Sequence, residues 1–89
     1  MISSSEAPAL SAKLRVYISR GGSPRDAALV ANILNSAHSI TDVMTLLRRP
    51  DFRLVRKDEG FWEVLDRRYT KILAFRLTET SHGAIVNIV

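Results

Sequence analysis

Cysteine is absent from the 89 residues, which excludes disulfide bridges and thiolate metal sites as supports for a small core. The same absence fits a reducing compartment, and a cytoplasmic protein is the default expectation. Long apolar runs are also missing. The longest is Ala27 to Ala31, far short of the ~20 residues that cross a bilayer as a helix, so no membrane association is expected. Met1 to Leu10 has neither the basic start nor the apolar stretch of a secretory signal. Histidine occurs only at His38 and His82, without ligand spacing, so neither a metal nor a cofactor is expected. There is no nucleophile elbow and no phosphate-cradling glycine loop, and a non-enzyme is favoured over an enzyme.

What remains is an ordinary globular composition, with 46% hydrophobic and 25% charged residues. A chain of this length holds one domain. Residues 1–5 read as a disordered N-terminus and 6–89 as a single α+β domain.

From Glu6 to Arg20 two patterns compete. Leu10, Leu14, Tyr17 and Ile18 recur at helical spacing and Gly21-Gly22 follows as a stop, whereas Leu14, Val16 and Ile18 alternate as in a strand over 13–19. The helix is the longer pattern and has the better terminator. Ser23-Pro24-Arg25-Asp26 then offers a capping hydroxyl, a proline at the first helical position and a carboxylate three residues beyond the cap. Ala27, Val30, Ile33, Leu34 and Ala37 form the buried stripe of that helix. Ser39 to Asp42 repeats the cap, and Val43, Met44, Leu46 and Leu47 continue to Arg49, where Pro50 ends the run. The capping signals favour two helices with a break near His38 over one helix spanning 24–49.

Beyond Pro50 the apolar period changes from helical to alternating. Strands are predicted at Phe52–Lys57, Phe61–Asp66, Lys71–Thr78 and Ala84–Val89, separated by connections too short for anything but antiparallel neighbours. The fold predicted is two to three N-terminal helices packed on a C-terminal antiparallel meander of three to four strands. Gly60 is expected in a left-handed turn position, so that replacing it costs more than replacing Gly83.

The net charge of +4 is unevenly placed. Nine of the thirteen basic residues fall between Arg48 and Arg76, while outside that stretch the charges cancel. In a meander alternate turns share an end of the sheet, so Arg48, Arg49, Arg53, Arg67, Arg68 and Lys71 are expected at one end. Asp58, Glu59, Glu79 and His82 are expected at the other. A basic end suits a nucleic-acid backbone or an acidic protein surface. The ordinary alternative is a helix C-terminus complemented by arginines beside a solvated turn. The leading functional expectation is a small binding module, such as a regulator, inhibitor or adaptor. A homodimer through the apolar last strand Ala84–Val89, or through an uncovered Trp62/Val64 face, is also expected.

Two resemblances of element order bear on function. Over residues 9–66 the order of three helices, strand, turn and strand resembles a winged-helix DNA-binding domain. That implies Ser39–Arg49 as recognition helix and Asp58-Glu59-Gly60 as wing tip. With 13–19 read as a strand, the order resembles the small metal-independent RNA-cleaving toxins of the RelE type. The chemistry would then fall to residues such as Arg56, Arg76, Tyr69 or His82.

Overall fold

Three helices precede a four-stranded antiparallel sheet in the computed structural model, which describes residues 6–36, 39–81 and 83–89. Residues 1–5, Ala37, His38 and His82 lie outside the described residues, and with them the expected disordered N-terminus, the centre of the helix break and both histidine candidates.

Helix α1 (Ala7–Ser19) settles the ambiguous first segment in favour of the helical pattern, burying Leu10, Leu14 and Tyr17. It stops where Gly21 takes a φ of 91° and the Gly22 N–H returns to the Tyr17 carbonyl at 3.0 Å. Helix α2 (Pro24–Ser36) starts on the predicted cap, with the Asp26 N–H donating to Ser23 Oγ at 3.3 Å. Helix α3 (Ile40–Leu47) starts the same way, with the Asp42 N–H donating to Ser39 Oγ at 3.1 Å. Ser39 is extended (φ −147°, ψ 165°), so 24–49 is two helices. Arg48 already leaves helical geometry, one residue before the Arg49 that Pro50 restricts.

The strands are β1 (Phe52–Asp58), β2 (Phe61–Asp66), β3 (Lys71–Thr80) and β4 (Gly83–Ile88), neighbouring one another in chain order. β3 runs two residues beyond its predicted end because Glu79 and Thr80 still pair with Ala84 and Gly83. Register assigns the faces, since directly paired residues share one. Phe52, Leu54, Trp62, Val64, Asp66, Leu73, Phe75, Leu77, Val86 and Ile88 lie on one face, and the helices cover it. Phe75, Val64, Leu34 and Val30 are fully buried at the centre. Each such side chain contributes about 1.5–3 kcal/mol relative to exposure.

The Trp62/Val64 face is therefore not an open dimer surface. Val64 is fully buried and Trp62 packs against the core, because they share the face of Leu73 and Phe75. The helix-free face carries Phe61 and Leu65 instead, both half-buried, together with Arg53, Val55, Lys57, Glu63 and Arg76.

Gly60 has the left-handed φ expected (70°), and a Cβ there would stand 2.9 Å from the Leu77 carbonyl oxygen. Gly83 also has a positive φ, at 114°. Both positions are therefore strained for a side chain, and the Leu77 carbonyl against Gly60 adds a clash to the strain there. Alanine at either position is expected to cost about 1–2 kcal/mol in urea denaturation. A loss at Gly60 alone would contradict the turn geometry at Gly83.

Candidate functional site

The connection between β2 and β3 is built around one buried carboxylate. Asp66 is 3% exposed and accepts three hydrogen bonds. The Tyr17 hydroxyl donates to Oδ2 at 2.8 Å, and the Arg68 and Thr70 N–H groups donate to Oδ1 at 2.9 Å each. The Arg68 guanidinium stands 3.9 Å from Oδ2 and also donates to the Gly21 carbonyl at 3.3 Å, so the turn is tied to the end of α1. Burial alone would raise the pKa of Asp66. The donors from Tyr17, Thr70 and Arg68 and the Arg68 charge outweigh it, and the pKa lies below the usual carboxylate value. Burial, then the hydrogen bond to Asp66, pushes the Tyr17 phenol up to about 12.

This network holds Tyr69 in an unusual state. Its φ is 64°, a left-handed conformation that costs an L-residue about 1–2 kcal/mol, and the residue is 67% exposed. The Arg53 guanidinium lies over that ring, 5.7 Å from its centroid. A second pair repeats the motif on the helix-free face, where Arg76 lies 5.4 Å from the centroid of Phe61.

Around the turn the predicted basic residues gather in distinct ways. Arg49 Nε and Arg67 Nη2 approach the two oxygens of Asp51 at 3.8 and 3.0 Å. Arg53 donates to the Pro50 and Phe52 carbonyls while covering Tyr69. Arg68 belongs to the Asp66 network. Lys71 lies on the helix-free face, 3.5 Å from Glu63, whose other oxygen is 3.8 Å from Lys57. Arg48 is the exposed residue that closes α3. These ion pairs are exposed on the cationic side and worth about 0–1 kcal/mol each, so the cations can exchange partners at little cost.

Two cations absent from the predicted set also reach this end. Lys13 and Arg20 on α1 line a cleft together with Thr70 and Lys71. Counting charge along the chain cancels them against distant acids, and only the docking of α1 beside β3 brings them here. Lys57, Arg76 and Phe61 were likewise missed as a group, although strand alternation places all three on one face.

Of the residues singled out for RNA cleavage, the three that are described do not converge. Arg56 donates to the Asp58 carbonyl beside the 58–60 turn, Tyr69 lies at the opposite end of the sheet, and Arg76 stands over Phe61. The strand at 13–19 that this order requires is helix α1. For the winged-helix order, α3 has no basic residue among Ile40–Leu47, and the tip at Asp58-Glu59 is acidic. Among the described residues no cluster of three His, Asp or Glu could hold a metal ion, and no helix is long and apolar enough to cross a membrane. No family model, curated protein or solved structure matches the chain.

Proposed function

We propose that the chain is a small non-enzymatic binding module that engages nucleic acid through its basic end and the adjoining helix-free face of the sheet. The observation that carries this reading is the pair of arginine–aromatic contacts, Arg53–Tyr69 and Arg76–Phe61, set among further cations. Cations alone would serve an acidic protein surface equally well. Aromatic rings next to arginines add stacking platforms that bases use and carboxylates do not. The exposed Tyr69 in a costly backbone conformation is the sharper half of the argument, since strain of this kind persists where a side chain has work at the surface. A regulatory or adaptor role in the cytoplasm belongs to the same proposal and rests on small size and cysteine-free composition.

Binding of labelled oligonucleotides at several salt concentrations tests it. Neutralising four or five phosphates predicts a log–log slope of about −3 for single strands and about −4 for duplex. Charge reversal at Arg53 and Arg67 should flatten the slope, while the same change at Arg15 and Arg25 on the helices should not. Tyr69→Gly separates binding from folding. It should raise stability by about 1 kcal/mol through relief of the left-handed strain, and weaken single-strand affinity on the order of ten-fold through loss of stacking. Equal loss in both charge-reversed pairs would reduce the effect to net charge, and the proposal would fail. Sedimentation of the same samples reads whether the binding species is a dimer. β4 has a strand neighbour on one side only and is the edge through which a second copy would pair.

A further inference from the structure

β3 is longer than its neighbour, and the difference creates a cleft. β4 pairs with Phe75–Thr80, and the Val89 N–H adds one bond to the Ala74 carbonyl at 3.1 Å. Beyond that point Lys71, Ile72 and Leu73 have helix α1 beside them on that side instead of a strand. Lys13, Val16, Tyr17 and Arg20, spaced to share one helix face, form the opposite wall. The space is about 260 Å³, equivalent to roughly nine waters at about 30 Å³ each. That suits a ligand of about ten heavy atoms.

The chemistry of the walls is uneven in a specific way. Lys13, Arg20 and Lys71 contribute three cations, and among the described residues no Asp or Glu lines the cleft. Val16 and Val89 line it as well and are among the most exposed large apolar residues, at 45% and 49%. Among the described residues the Lys71 ammonium is held by Glu63, an exposed contact weak enough to yield to a ligand. Cations over an exposed apolar wall complement a molecule with both characters.

We propose that this cleft binds a small amphipathic anion, with its charged head on Lys13, Arg20, Lys71 and the Thr70 hydroxyl and a short apolar body on Val16 and Val89. The cleft adjoins the nucleic-acid surface and shares Lys71 with it, but Arg53, Arg67, Tyr69 and Phe61 do not line it.

Octanoate is a suitable probe, with acetate and octanol as its two halves, followed through backbone amide shifts in the intact protein. The expected result is saturable shifts at Val16, Thr70 and Leu73, with octanoate binding at least ten-fold tighter than either control. Lys13→Glu with Arg20→Glu should weaken octanoate at least ten-fold, and Val16→Asn several-fold. Arg15→Glu with Arg25→Glu should leave it unchanged. These positions are exposed, and an unchanged melting curve confirms folding; Lys13→Gln and Arg20→Gln singly replace the double variant if it melts early. Octanol binding as well as octanoate, acetate binding as well as octanoate, or shifts clustered away from the cleft would each overturn the proposal. Oligonucleotide binding that fails while octanoate binds would sink only the earlier reading.

Discussion

Asp66→Ala is expected to lower stability by about 3–5 kcal/mol, enough to leave the domain close to unfolded at body temperature. The substitution strips the partner from the buried Tyr17 hydroxyl and from the Arg68 and Thr70 N–H groups at once. Each donor left without a partner in a buried site costs about 1–3 kcal/mol, and the two turn amides recover part of that from water. Asp66→Asn keeps an acceptor for both amides and should lose roughly half as much. Urea denaturation of the two variants reads the difference, and an Asp66→Ala loss below about 1 kcal/mol would show that the turn does not depend on this carboxylate. The pH dependence has two arms. The folded pKa of Asp66 lies below its ordinary 3.8, so its contribution is complete above that value and is lost as pH falls through the lower folded one. Tyr17 has its folded pKa raised to about 12, so its contribution is complete below pH 10 and is lost as pH rises through 12. Tyr17→Phe should abolish the alkaline arm and leave Asp66 short of one donor.

Gly22→Ala is expected to cost about 2–4 kcal/mol, although the new side chain is a single methyl group. An ideal Cβ there would stand 2.5 Å from Tyr17 Cζ and 2.6 Å from both Cε atoms, so the ring lies flat against the glycine. Tyr17 is 2% exposed and anchored to Asp66 at 2.8 Å, and it cannot retreat without giving up that bond. Overpacking of this kind costs about 1–3 kcal/mol, and the strained hydrogen bond adds to it. In a Tyr17→Ala background the same change should cost less than half as much, a coupling that a double-mutant cycle measures directly. Additive losses would place the damage in the backbone and not at the ring.

The caps and the change of period made most of the fold legible. Ser23 and Ser39 begin α2 and α3 as their spacing requires, and alternation after Pro50 locates all four strands within two residues. Which sheet face lies under the helices was not legible at β2, because Trp62 and Val64 alternate with Phe61 and Leu65 and both pairs are apolar. β3 decides it, since Leu73, Phe75 and Leu77 face one way and Arg76 and Thr78 the other. The basic end was legible as a consequence of meander geometry. Its organisation was not, because the bond between Tyr17 and Asp66 joins residues 49 positions apart and no local pattern announces it. Tyr69 offered no signal either, as the left-handed turn position is one that glycine or asparagine usually takes.

The Ile88 N–H donates to the Glu6 carboxylate at 3.1 Å, which brings the start of α1 and the end of β4 side by side. A linker of a few residues from Val89 to Glu6 would span that gap, since an extended chain reaches about 3.3 Å per residue. The exposed segment Arg48–Pro50 offers a place to open the chain. A circularly permuted protein would then begin with the meander and finish with the three helices, every strand pairing and helix contact kept. The sheet would leave the ribosome before the layer that covers it, reversing the order in which the two halves are made.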